Sequence, residues 1–217
     1  LEDLEVSPDD AGSPVPAAEV ARDRARLVRA MDLAWDWHGA QTRKGRPTSY
    51  VSHLVQVQGL VLDAGGGADE AIAALLHDGL EDAETPAERA DREAILASEF
   101  GPAVLHIVLD CTDTTPDEAG ERKGAWRPRK ERYLEQLRGA GPASRLVAAC
   151  DKRQNLGDLV SDLRLEGAAT LERFNAGADE QLWYFRSLEA VCRPDLPPKL
   201  ARELTDLVTE LEELLDA

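Results

Sequence analysis

The chain has 217 residues, a length suited to one domain with at most a small appendage. Its 42 acidic and 25 basic residues give a formal charge of −17, which repels nucleic-acid backbones and anionic lipids. No nucleic acid and no membrane is therefore expected as a partner, and a small anionic ligand needs basic residues concentrated locally. At 43% hydrophobic residues the chain can bury a core.

Residues 1–16 are acidic and rich in Pro, Ser and Ala, the opposite of a signal or transit peptide, and are expected to form a disordered tail ahead of a single domain over 17–217. Apolar residues at three- and four-residue steps predict a first helix over 17–38, with Val20, Leu27, Met31 and Trp35 among them. A loop over 41–49 carries Arg43, Lys44 and Arg46. Helices follow over 51–64, stopped by Gly65-Gly66-Gly67, and over 69–82, with Ile72, Leu75, Leu76 and Leu80 on its apolar stripe. A helix pair over 87–99 and 102–111 breaks at Phe100-Gly101. The segment 112–128 lacks periodicity and is rich in turn formers, so it is expected to be a long, mobile loop. Further helices are predicted over 129–138, 143–165, 178–191 and 198–216. No window alternates as a strand does, and no repeat is present, so the fold class is all-α. No apolar run approaches the roughly 20 residues of a membrane span. Cys111, Cys150 and Cys192 form no CxxC pair and read as reduced, partly buried thiols of a cytoplasmic protein.

Chemistry concentrates in His77-Asp78-Gly79-Leu80-Glu81-Asp82. On a continuing helix, positions 77 and 81, and likewise 78 and 82, lie about 40° apart. One helix end then presents an imidazole and three carboxylates, whose self-repulsion a divalent metal would relieve. The alternative is a solvated helix terminus beside a core histidine. Two features speak against it: the acids follow directly on the apolar run AIAALL, and the helix macrodipole disfavours negative charge at a C-terminus. Asp151 follows five largely apolar residues and lies one turn from Asn155. It needs a partner, either a metal or a salt bridge to Lys152 or Arg153. Arg43, Lys44 and Arg46 are where a polyphosphate would be steered in so acidic a chain, unless they are simply a solvated basic loop.

Taken in order, these residues resemble the HD-domain metal-dependent phosphohydrolases, and among them the hydrolase domain of RelA/SpoT-type alarmone enzymes and the stand-alone small alarmone hydrolases. The resemblance runs over 30–158. It includes His38-Gly39-Ala40-Gln41-Thr42-Arg43-Lys44-Gly45, Ser49-Tyr50-Val51-Ser52-His53, Leu76-His77-Asp78, Glu81-Asp82, Glu99-Phe100-Gly101, Thr112-Asp113, and Asp151-Lys152 with Asn155. It implies an HD-domain helical bundle with a C-terminal helical extension. It also implies one Mn²⁺ held by His53, His77, Asp78 and Asp151, a suitable mixed set of imidazoles and carboxylates. Glu81 and Asp82 match the pair that orients or deprotonates the attacking water. Arg43 and Lys44 match residues lining the nucleotide pocket, Asn155 a sugar contact and His38 a pocket position. Lys152 and the Arg129/Lys130 pair are further candidates for phosphate contact, and Tyr184 matches a C-terminal tyrosine that closes the pocket. The implied reaction is Mn²⁺-dependent removal of pyrophosphate from the 3′ position of a (p)ppGpp-type nucleotide. The alternatives are hydrolysis of ppApp, NADPH or a nucleoside monophosphate, or nucleotide binding without catalysis.

The chain departs from the family pattern at Leu54, where many relatives have Pro, and at Gly157, where they often carry Arg. The 46–49 loop is longer, and the 112–128 segment, with Lys123, Trp126 and Arg127, is distinctive. His106 is expected to be a core or half-buried histidine, and Trp35 and Trp37 packing residues, with Trp37 beside the pocket as a second reading. Leu204, Leu207, Val208, Leu211, Leu214 and Leu215 form an amphipathic helix that caps the core; a homo-oligomer contact is the other use of such a face.

Overall fold

The computed structural model describes residues 16–114, 125–174 and 176–216. The expected tail over 1–16 lies outside these apart from Pro16, as does most of the 112–128 segment, Lys123 included. Among the described residues every regular element is helical: α1 (Ala17–His38), α2 (Val51–Asp63), α3 (Ala68–Leu76), α4 (Pro86–Ile95), α5 (Pro102–Cys111), α6 (Trp126–Gly139), α7 (Pro142–Glu166), α8 (Ala178–Cys192) and α9 (Pro198–Asp216). Among these residues the sole β pairing is an isolated bridge, Thr42 to Ser49.

Two helices form the axis of the bundle. In α3, residues 71–76 are all fully buried, because α1, α2, α5 and α7 surround them. Each leucine so enclosed contributes about 1.5–3 kcal/mol through removal of its side chain from water. The 25-residue α7, about 37 Å long, packs against α2, α3 and α5 on one side and against α8 and α9 on the other. It therefore joins the first half of the chain to the second, and buries residues around most of its circumference, Asp151 and Gln154 among them.

Several expectations change in the structure. The helix predicted over 69–82 stops at Leu76, and 77–82 is a succession of turns, with the Gly79 N–H donating to Leu76 C=O and the Asp82 N–H to Asp78 C=O, both at 3.0 Å. A glycine followed by acids is a poor helix continuation. Gly79 is also needed for close approach, since a Cβ there would meet the Trp37 ring at 2.6 Å. The pair predicted over 87–99 and 102–111 is separated by a π-helical turn, Leu96–Phe100, and by Gly101 at φ 90°. Helix α6 begins at Trp126, three residues early, because Pro128 falls in the first turn, where no amide hydrogen is required. His106 is not a core residue. Its side chain is 71% exposed on α5 and pairs with Asp110 one turn on. Trp35 is likewise exposed, whereas Trp37 packs beneath Arg92 and Gly79. All three cysteines are unpaired and buried. Leu200, Leu204, Val208 and Leu211 of α9 cap the core, packing against α7 and α8. No helix among the described residues is long and apolar enough to cross a membrane.

Candidate active site

The four residues proposed as metal ligands come from three elements. His53 lies in the first turn of α2, His77 and Asp78 leave the end of α3, and Asp151 is mid-α7, where α2 and α3 both pack. His53, His77 and Asp151 are 1%, 2% and 3% exposed, and their ligand atoms lie within 4.8 Å of one another. Asp151 Oδ1 is 3.3 Å from His53 Nε2 and 3.6 Å from His77 Nε2. Asp78 Oδ2 is 3.7 Å and 3.0 Å from the same two nitrogens.

The histidine tautomers follow from their outer partners. His77 Nδ1 is 2.8 Å from the Ala74 carbonyl oxygen, which can only accept, so Nδ1 carries the hydrogen. His53 Nδ1 lies 2.6 Å from Gln154 Oε1. Arg43 approaches that same atom at 3.3 Å, and a guanidinium has donors only, so the atom is the amide oxygen and His53 Nδ1 also donates. Nε2 of each ring is thus the atom that takes a second proton or offers a lone pair to a cation. His77 Nε2 is buried and, although Asp78 is close, no directed hydrogen bond satisfies it. Two convergent imidazole nitrogens facing two carboxylates, one nitrogen orphaned, fit a divalent metal. Burial opposes charge on all four groups, but their mutual attraction, joined at Asp151 first by the Lys152 charge, outweighs it. His53 is held above the ordinary imidazole range and His77 well above, while Asp78 and Asp151 lie well below the carboxylate range.

Neighbours hold the carboxylates in place. Tyr50 donates to Asp78 Oδ2 at 2.6 Å, and burial followed by the nearby Asp78 charge keeps its phenol protonated. Asn155 Nδ2 donates to Asp151 Oδ1 at 2.5 Å, as the one-turn spacing predicted. Lys152 occupies Asp151 Oδ2, so the ion-pair reading of Asp151 holds for one oxygen while the other faces the imidazoles. Arg153 turns away to Glu203.

Beside this cluster opens a cleft of about 280 Å³, walled by the 41–50 loop, α6, α7 and α8. The loop is closed by two backbone bonds, Arg43 N–H to Thr48 C=O at 2.8 Å and Tyr50 N–H to Gln41 C=O at 3.0 Å. Five of the expected substrate contacts line the cleft together: Arg43, Lys44, Lys130, Lys152 and Asn155. Tyr184 lines it too, with its hydroxyl buried and without a hydrogen-bond partner among the described residues. Arg43 is braced by Asp158 at 2.7 Å and Asn155 at 3.1 Å. Arg46 and Arg173 both pair with Asp162, and Lys130 with Asp113 at 2.5 Å. Lys44 is the one cleft cation without a carboxylate partner among the described residues; it lies 5.8 Å over the Phe174 ring.

Other candidates sit farther back. His38 is fully buried behind Tyr50, with ring centroids 5.5 Å apart, and does not line the cleft; its Nδ1 meets Gln41 Oε1 at 2.9 Å and Asp82 Oδ2 at 3.6 Å. Burial first holds His38 below its ordinary range. Glu81 hydrogen-bonds Asp113, whose carboxyl is also held by Arg129 and Lys130; Arg129 is thus directed to Asp113 and not to the cleft. Tyr50, Asp113 and Gln154 are site residues to which sequence reasoning assigned no role. The spacing of Tyr50 one turn before His53, and of Gln154 three residues after Asp151, was the available signal.

The chain is similar to known proteins. The HD domain family model matches residues 30–173. The mouse and human proteins named guanosine-3′,5′-bis(diphosphate) 3′-pyrophosphohydrolase MESH1 are each 31% identical over 140 residues, 63% of this chain and 71% of theirs. A solved structure described as a metazoan ortholog of SpoT that hydrolyzes ppGpp shares the fold, with a TM-score of 0.64 at 21% identity over 91% of this chain and 96% of that one. The crystal structure of lmo0812 from Listeria monocytogenes EGD-e superposes with a TM-score of 0.60 at 25% identity, over 72% of this chain and 96% of its own. A buried His/Asp cluster on this helical frame, matched by the family model over most of the chain, has one reading: the chain belongs to the HD-domain family.

Proposed function

We propose that this protein is a metal-dependent phosphohydrolase that releases pyrophosphate from the 3′ position of a (p)ppGpp-type nucleotide. The observation that carries the reading is the convergence of two imidazole Nε2 atoms and two carboxylates beside a cation-lined cleft. The mouse and human relatives named for this reaction support the substrate class. His53, His77, Asp78 and Asp151 would hold one divalent ion, Mn²⁺ by the mixed donor set. Such an ion would polarise a phosphoryl oxygen and acidify a water.

The protein's own groups do the rest. Lys44, lacking a carboxylate partner among the described residues, and the braced Arg43 anchor the anion, with Lys130 of α6 and Lys152 of α7 lining the same cleft. Asn155 contacts the sugar, and Tyr184 closes the cleft with its unpartnered hydroxyl. Water attacks the phosphorus bonded to O3′ in line, the P–O3′ bond breaks and O3′ leaves with a proton. Asp82, on the turn that follows the ligands, accepts the proton of the water and returns one to O3′, while Glu81, turned to Asp113, holds that turn in place. His38 supports Asp82 from behind. Residues 17–217 act as one domain, α8 and α9 being its helical extension, and the unpaired thiols support a reducing, cytoplasmic compartment.

The test is phosphate and pyrophosphate release from chelated protein after Mn²⁺ addition, with ppGpp, ppApp, NADPH, AMP and dAMP in parallel. Pyrophosphate from ppGpp only with Mn²⁺ is the expected result. Turnover of the others alone would replace the substrate, and no turnover with Mn²⁺ bound would leave a binding module.

A further inference from the structure

Gln154 is 4% exposed in the middle of α7, and its amide oxygen faces two functional groups at once. It accepts from His53 Nδ1 at 2.6 Å and from the Arg43 guanidinium at 3.3 Å. Its nitrogen reaches Gln56 Oε1 at 3.5 Å, which keeps the amide from turning over. The two acceptances differ in weight. Arg43 has Asp158 and Asn155 besides, at 2.7 and 3.1 Å, whereas Gln154 Oε1 is the hydrogen-bond partner of His53 Nδ1.

We infer that Gln154 is a positioning residue: its carbonyl oxygen sets the tautomer and ring angle of His53, so that Nε2 faces Asp78 and Asp151, and it ties that ring to the arginine on the anion side of the cleft. The inference rests on the metal-dependent reading above and assigns a residue to it. Without the acceptor, the His53 Nδ1–H is buried and unsatisfied. The ring then gains by rotating, which removes Nε2 from the cluster. Outer partners of this kind change metal affinity by about 10–100-fold when replaced. Because Arg43 keeps its other anchors, the metal side suffers more than the anion side.

The experiment compares wild type, Gln154→Leu and Gln154→Glu by Mn²⁺ titration calorimetry, together with kcat and KM as a function of Mn²⁺ concentration. Leucine nearly preserves volume and removes the acceptor; glutamate keeps an acceptor that also suits Arg43. Gln154→Leu is expected to weaken Mn²⁺ binding about 10–100-fold, with kcat recovering in excess Mn²⁺ and KM moving less than threefold. Gln154→Glu is expected to bind Mn²⁺ within threefold of wild type. General structural damage would be repaired neither by excess metal nor by a different acceptor at one position. Mn²⁺ affinity of Gln154→Leu within threefold of wild type overturns the inference, and so does a Gln154→Glu protein as weak as Gln154→Leu. If wild type itself binds no Mn²⁺, the metal-dependent reading fails, and the inference falls with it.

Discussion

Replacing Asp151 by Asn separates a metal centre from a network of ion pairs. The substitution keeps the shape of the side chain and removes its charge. In metal-free protein it leaves Lys152, whose side chain is 17% exposed, without its counter-ion. Breaking a buried pair by removing one partner costs about 3–5 kcal/mol, and partial exposure of Lys152 places the cost near the lower figure. At roughly 2–4 °C per kcal/mol for a domain of this size, the metal-free midpoint should fall by about 6–12 °C. The response to metal should differ more sharply. Mn²⁺ at about 100 times its Kd stabilises a one-site protein by about 2.7 kcal/mol, raising the wild-type midpoint by roughly 5–11 °C. Asp151→Asn has lost the carboxylate charge that faces both imidazoles, whose Nε2 atoms lie 3.3 and 3.6 Å from Oδ1, so its midpoint should not respond. Thermal melts of both proteins, chelated and with added Mn²⁺, measure all four values. An equal Mn²⁺ shift in the variant would refute Asp151 as a ligand, and no shift in wild type would reduce the cluster to ion pairs.

Two further outcomes follow from groups outside the metal cluster. Burial opposes charge on Asp113, but Lys130 and Arg129 outweigh it and hold its carboxyl well below the ordinary value of 3.8. Its stabilisation is therefore fully present above that value and is lost as pH falls toward the folded-state pKa. Asp113→Asn should thus be less stable than wild type at pH 6 by urea unfolding, with the gap narrowing as pH falls below about 4; a constant gap across that range would contradict the assignment. Burial pushes the Cys150 and Cys192 thiols up to about 12 and Cys111 well above its usual range, so none is a thiolate at pH 8. An aromatic disulfide reagent should detect no fast thiol in native protein and three after denaturation, and any fast native thiol would disprove the burial.

Much of this protein was legible without coordinates. The start of α1 at 17, the end of α5 at 111 and the span of α9 follow from local apolar spacing and from flanking Pro and Gly, which act within a few residues. Asp78 and Asp151 stood out as well, because acids placed directly after an apolar run need a partner, whereas His53 and the full candidate ligand set came from the family resemblance. Other features depend on atoms distant in the chain. The helix through His77 ends at Leu76 where Trp37 of α1 lies on Gly79, which places His77 and Asp78 toward the cluster while Glu81 reaches Asp113. A helical-wheel sector could not foresee that division. His106 sits in an apolar run yet faces solvent, since burial depends on which face of α5 meets α3 and α7. The outer partners Tyr50 and Gln154 became visible once α2, α3 and α7 converged. Periodicity determines which residues share a face; tertiary packing alone determines what that face meets, because hydrogen-bond partners 28 or 101 residues apart in sequence are chosen by space.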